Sequence, residues 1–156
     1  SAPLNSWAQN LSQLQSVFLV GRNMHLPVAL EAAQKLKEIC YLHAEGYPAG
    51  EIKHGPVTLI GERTPVIACL PWDLMADKML ANLHEVKARQ GEIYLLSDVK
   101  LTSGERFHCI QMPQQLPLLN PILYSVAFQL LSYLSALNRG NNVDMPRNIQ
   151  KTQDKE

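Results

Sequence analysis

Apolar positions along the chain follow two spacings, and each predicts its own kind of element. Leu4, Trp7, Leu11 and Leu14 recur every three or four residues behind a cap at Asn5 or Ser6, which predicts a short amphipathic helix. Ser16-Val17-Phe18-Leu19-Val20 is instead a continuous apolar run closed by Gly21, the pattern of a strand buried on both faces of a parallel sheet. Pro27 suits a first helical turn, and Val28, Ala29, Leu30, Ala33, Leu36, Ile39 and Leu42 carry a helix to about His43. Val66 to Leu70 and Ile93 to Leu96 repeat the strand pattern, with a helix between them that Asp73 caps and that runs to about Gln90. Phe107 to Met112 reads as a fourth strand, and Ile122 to Leu137 as a long apolar helix stopped near Gly140.

Strands alternating with helices predict an α/β fold, a doubly wound sandwich with a mostly parallel central sheet flanked by helices. The predicted organisation is a linker helix over residues 1–15, an α/β domain over 16–140 and a polar C-terminal tail over 141–156. In such sheets ligands sit beyond the carboxyl ends of the strands. That points to the loops after Val20, Leu70 and Leu96. The stretch EGYPAGEIKHGPVTLIG, Glu45 to Gly61, is too polar and too punctuated by Gly and Pro for a simple core element, and reads as an irregular segment.

Composition then narrows the function. The 156 residues carry 14 basic and 14 acidic side chains, a formal net charge of +0, and this argues against non-specific nucleic-acid binding, which needs surplus Lys and Arg. The charged fraction of 18% lies below the roughly 25% typical of soluble domains, which suggests that partners cover part of the surface. Cys40, Cys69 and Cys109 are too far apart for a disulfide framework or a zinc ribbon and fit a reducing compartment. The richest apolar stretch, Leu116 to Leu137, is interrupted by Pro117, Asn120, Pro121 and Gln129, so no membrane span is expected and a cytoplasmic location is. The Ser1-Ala2-Pro3 start suggests a piece of a longer protein.

Chemistry-bearing motifs are sparse. Gly21-Arg22-Asn23 after the first strand is not a dinucleotide fingerprint, and neither a Walker lysine nor a G-x-S-x-G elbow occurs. His25, His43, His54, His84 and His108 are scattered without metal-ligand spacing, so neither metal nor cofactor is expected. Lys35 and Glu38 share one helix face, where they suit either a solvated ladder with Glu31 or a positioned base. His54, in Lys53-His54-Gly55-Pro56, suits acid–base work or a helix C-terminus equally well. Lys151, in the tail, reads on its own as a solvated lysine.

Taken together, ALEAAQKLKEICYLHAEGYPAGEIKHGP and the late NVDMPRNIQK resemble the second sugar-isomerase (SIS) half of the glutamine:fructose-6-phosphate aminotransferase (isomerising) family, the glucosamine-6-phosphate synthases. The similarity runs from Ser16 to Lys151. It implies an SIS fold and an enzyme that makes glucosamine-6-phosphate from fructose-6-phosphate and glutamine-derived ammonia. It also implies that Glu38 shuttles a proton between C1 and C2, and that Lys35 beside it positions the base or the sugar hydroxyls. By the same resemblance His54 opens the sugar ring and is lent to a neighbouring subunit, and Lys151 forms a Schiff base at C2. Implied partners are the sugar phosphate, a first SIS half, a glutaminase domain and a second copy in a homodimer. The loop after the first strand lacks the Ser and Thr that hold the phosphate in the family's first half, and Gln150 and Thr152 to Glu156 are more polar than the family tail. The isolated chain is therefore expected to be nearly inactive. An SIS sugar-phosphate deglycase or isomerase, or a non-catalytic sugar-phosphate-binding regulatory module, are the alternatives.

Overall fold

The run Val17 to Val20 forms the strand that sorts the whole core. Its side chains alternate: Val17 and Leu19 enter one hydrophobic cluster, Phe18 and Val20 the other. The same alternation divides Ile67 and Cys69 from Val66, Ala68 and Leu70, and Tyr94 and Leu96 from Ile93 and Leu95. A sheet buried on both faces leaves no polar positions, and for that reason these strands are uniformly apolar in sequence.

The computed structural model describes residues 2–148. In chain order it contains α1 (Ala2–Ser12), β1 (Ser16–Gly21), α2 (Leu26–Cys40), β2 (His43–Pro48), β3 (Val66–Leu70), α3 (Ala76–Ala88), β4 (Ile93–Ser97), β5 (Phe107–Gln111) and α4 (Asn120–Asn138). The five strands are all parallel, in the order β2-β1-β3-β4-β5. One face is covered by α1, α2 and α4, whose Trp7, Leu11, Ala29, Leu36, Phe128 and Leu131 share a cluster. The other is covered by α3, through Met79, Leu83 and Val86, and by Ile52 from a 3-10 turn at Ile52–His54. The doubly wound sandwich read from the sequence is the observed architecture.

Two segments differ from expectation for identifiable reasons. The helix predicted to reach His43 ends at Cys40, and His43 begins an edge strand inside what reads as an irregular segment. Gly46, which looks like loop punctuation, lies in mid-strand because α2 crosses there: a Cβ would stand 2.8 Å from Leu30 Cδ2 and 3.1 Å from Leu30 Cα. Asp73 caps a turn rather than the helix, accepting the Met75 N–H at 2.8 Å one step before α3 begins. With the 3-10 turn before it, α4 is long and apolar enough to cross a membrane by length and composition. One of its faces nevertheless packs into the core: Tyr124, Phe128, Leu131 and Ser135 are buried against α1 and α2.

Gly21 fixes the first turn. A Cβ there would sit 2.1 Å from the His25 carbonyl oxygen and 2.5 Å from its carbon, both backbone atoms that cannot yield. Gly21→Ala should therefore cost about 3 kcal/mol, the upper end of overpacking. Gly50→Ala, with nothing within 4 Å of the new methyl group, should change stability by less than about 0.5 kcal/mol. Urea denaturation of the two variants checks this, and equal midpoints would contradict the close approach.

Candidate functional site

The C-terminal end of α2 carries the first two candidate side chains. Lys35 and Glu38 lie one turn apart, and Lys35 Nζ donates to Glu38 Oε2 at 3.1 Å. Gln34 Nε2 donates to the other carboxylate oxygen at 2.9 Å. Both oxygens are thus engaged on one side while the group remains about a quarter exposed, at 28%. The Gln34 hydrogen bond, then that of Lys35, holds the Glu38 carboxyl below its ordinary value, so it is ionised at neutral pH. Exposed and screened, the pair contributes little stability.

Just beyond it, the chain leaves α2 through a left-handed residue. Tyr41 adopts φ 57° and ψ 31°, a conformation usually left to glycine, and its N–H closes the helix on the Leu36 carbonyl. A compensating set of contacts holds it there. The Arg147 guanidinium stacks 3.9 Å from the Tyr41 ring centroid, and the Tyr41 hydroxyl accepts the Arg147 backbone N–H at 3.1 Å. Asn141 Nδ2 donates to the Ile39 carbonyl at 2.8 Å and Arg139 donates twice to the Leu14 carbonyl, which pins the start of the tail to the same end of the molecule.

The result is an open cleft lined by Gln34, Lys37, Glu38, Tyr41, Leu42, His43, Arg147 and Asn148. It lies at the amino end of β2, not at the carboxyl edge of the sheet where the fold rule placed a site. The loops after Val20, Leu70 and Leu96 converge at the opposite end, without Glu38. His54 is not in the Glu38 cleft either. Its turn packs through Ile52 on the α3 side of the sheet, and its neighbour Lys53 pairs with Glu85 of α3 at 2.8 Å. Lys151 lies outside the described residues, and Asn148, three positions before it, lines the cleft.

On the edge strand, Glu45 accepts from Tyr47 at 2.5 Å and pairs with His43 at 2.8 Å. The Tyr47 bond first, then His43, lowers the Glu45 carboxyl, and the same contact raises the Tyr47 phenol. The cysteines offer no nucleophile nearby: burial pushes the Cys40 thiol up to about 12, and its Sγ donates to the Ser132 carbonyl at 3.1 Å. Sequence reasoning passes over Gln34 and Tyr41, because one is a polar residue on a polar helix face and the other pairs across 106 positions. The PRN run is the one local signal for Arg147.

A wholly parallel five-stranded sheet covered by helices on both faces places the chain among the doubly wound α/β sandwiches. The chain belongs to the SIS domain family, whose model matches residues 10–139. It is 46% identical over 149 residues to the glutamine–fructose-6-phosphate aminotransferase (isomerizing) of Bordetella pertussis, covering 94% of this chain and 24% of that protein. The chain thus spans about a quarter of the length of the curated relatives it matches. Its fold superposes with a TM-score of 0.86 and 34% identity on the C-terminal domain of glucosamine-fructose-6-phosphate aminotransferase from Francisella tularensis, over 92% of this chain and 41% of that one. Tagatose-6-phosphate ketose/aldose isomerase from Escherichia coli shares the fold at a TM-score of 0.77 and 17% identity, over 99% of this chain and 45% of that one.

The lowered Glu38 carboxyl has a direct readout. Carboxyl-carbon NMR should give a Glu38 midpoint below 4.5, and Lys35→Met should move it upward. Its stabilising share is present above the unfolded value and is lost as pH falls through the folded one. An unchanged midpoint in Lys35→Met would show that the ion pair does not act on Glu38.

Proposed function

We propose that this chain is the isomerase-half module of an enzyme that converts fructose-6-phosphate and glutamine-derived ammonia into glucosamine-6-phosphate, for amino-sugar precursor synthesis in the cytoplasm. The observation that carries the reading is the Glu38 cleft, with an ionised carboxylate beside Lys35 and the PRN segment clamped across it by Tyr41 and Arg147. The relatives named above supply the substrate class.

The geometry suits proton transfer on a ketose. A carboxylate held at low pKa is a weak base, so it removes a carbon-bound proton only from a strongly activated substrate. An imine at C2 provides that activation by drawing electrons from the C1–H bond. Ammonia first displaces the lysine amine from that imine, which frees the lysine and leaves the product's nitrogen on C2. Glu38 then takes the C1 proton as the imine nitrogen gains one, and returns the same proton to C2 while the C1 hydroxyl gives up its proton to become the aldehyde. Lys35 keeps the carboxylate oriented and charged between turnovers. Lys151 is the imine-forming amine in this reading: it follows by three residues Asn148, which lines the cleft, and three residues reach at most about 10 Å. His54, whose turn packs through Ile52 on the α3 side of the sheet, serves a ring-opening role in a neighbouring subunit's site, a reading supported by its not lining the Glu38 cleft of this chain.

The phosphate is held elsewhere in the longer protein. Neither Arg22-Asn23-Met24 nor Pro71-Trp72-Asp73-Leu74 offers a Ser or Thr at the carboxyl ends of β1 and β3. A first SIS half and a neighbouring copy are the partners we infer, and α4 presents a surface for them. Leu118, Ile122, Val126, Leu130, Tyr133 and Leu137 form one stripe on its outer face, each between 41% and 78% exposed.

In the longer protein, Glu38→Gln should lower isomerisation about 10²- to 10⁴-fold, the range expected for a lost acid–base group. Borohydride reduction with fructose-6-phosphate present should attach the sugar to Lys151. Normal turnover in the first experiment, or an adduct on another lysine in the second, would overturn the assignment. The 156-residue chain alone should dimerise in sedimentation experiments, and Ile122→Glu with Val126→Glu should return it to monomer. A wild-type chain that stays monomeric at about 0.5 mM, a concentration at which even millimolar association is visible, would count against that surface.

A further inference from the structure

The carboxyl edge of the sheet, which the isomerase reading does not use, holds a second cleft. Its volume is about 330 Å³, and Asn23, His25, Trp72, Asp73, Asp98 and Asn120 are among its lining residues. It opens where the chain from β1 departs towards β2 on one side while β3 adjoins on the other. That is the topological switch point at which open parallel sheets bind ligands.

Two side chains of its lining are left unfinished. His25 is 8% exposed and Asn120 is 5% exposed, yet His25 Nε2 and Asn120 Oδ1 have no hydrogen-bond partner among the described residues. A buried polar atom without a partner costs on the order of 1 to 3 kcal/mol, so two residues of one cleft lining that carry such atoms mark a place where something polar fits. Burial lowers the His25 pKa against the opposing pull of Asp73 and Asp98, which leaves a neutral ring able to donate from one nitrogen and accept at the other.

The walls specify what that is. Asp98 Oδ1 accepts the Trp72 backbone N–H at 2.8 Å, which fixes the loop, and neither Asp73 nor Asp98 is paired with a cation among the described residues. Trp72 is 44% exposed and presents an indole at the rim. Carboxylates without a counter-ion repel a phosphate at close quarters. They accept well from hydroxyl groups, as Asn and a neutral His also do, and an indole covers the apolar face of a sugar ring.

We propose that this cleft binds an uncharged, polyhydroxylated molecule the size of a single sugar ring, at a site separate from the Glu38 cleft. The hydroxyl groups engage His25 Nε2, Asn120 Oδ1 and the Asp carboxylates, and the ring's C–H face rests on Trp72. The site discriminates against phosphorylated sugars, the reverse of the preference inferred for the isomerase reaction, so the two ligands do not compete.

The test titrates the 156-residue chain with methyl β-D-glucopyranoside and with N-acetylglucosamine, followed by amide NMR and by Trp72 fluorescence. Saturable shifts at Trp72, Asp98 and Asn120 with a Kd on the order of 1 mM are expected. Trp72→Ala and His25→Phe should each weaken binding by about tenfold or more. His25→Phe replaces an unsatisfied ring by an apolar one of similar shape, so its thermal midpoint should hold or rise while binding falls, which separates loss of the site from loss of the fold. Inorganic phosphate should not displace the sugar. No saturation with either sugar, binding unchanged in both variants, or displacement by phosphate would each overturn the proposal. None of these outcomes bears on Glu38 or Lys151.

Discussion

Burial of β1 on both faces is the constraint on which the molecule depends. Its four core side chains divide two and two between the layers, and both neighbouring strands take their register from it: Val17 opposite Ala44 on one side, Leu19 opposite Ile67 on the other. A one-residue slip would exchange Val17 and Leu19 for Phe18 and Val20 and misfill both clusters at once. From this strand the chain turns tightly at Gly21 into α2, and α2 in turn places Gln34, Lys35 and Glu38 at its far end. The cleft at the amino end of β2 is therefore positioned by packing at the opposite edge of the sheet, about 20 Å away along a 15-residue helix at 1.5 Å per residue.

That arrangement gives the module two ends with different characters. The amino end of β2 carries an ionised glutamate held by Lys35 and Gln34, and an aromatic ring that clamps the tail. The carboxyl edge carries buried polar atoms and two carboxylates that have no partner and no cation, respectively, among the described residues. A helix connecting a tight turn to a strained left-handed exit couples them only mechanically, because the charges are too far apart to feel one another through solvent: the Debye length at physiological salt is about 8 Å. Each end can change without rewriting the other.

How much of this was visible in the sequence follows from what each element has to satisfy. β1, β3 and β4 were legible because burial on both faces admits only apolar residues. β2 was not, because an edge strand satisfies one side with solvent and so tolerates His43, Glu45 and Tyr47, and because Gly46 serves α2 rather than a turn. Lys35 and Glu38 were legible as a pair, since helical spacing alone brings them together. The clamp of Arg147 on Tyr41 and the placement of Asn148 at the rim depend on where the tail returns after α4, and no local pattern encodes that return. The roles proposed for Lys35 and Glu38 come from resemblance, and geometry adds the cause of the lowered Glu38 carboxyl.

The sparse charge of the chain acquires a location from the structure. Helix α4 has one face committed to α1 and α2, and a second apolar stripe, from Leu118 just before it to Leu137, that stays largely exposed among the described residues. A lone soluble helix of this kind would be expected to carry Lys and Glu on that side. Fully covering six such side chains is worth on the order of 10 kcal/mol before the cost of association is subtracted, a large incentive beside the stability of an ordinary domain. Such a surface favours association, and in the function proposed here it is where the rest of the longer protein packs. In that proposed function, the low charge density along α4 is the compositional trace of a surface that is covered by the rest of a longer protein.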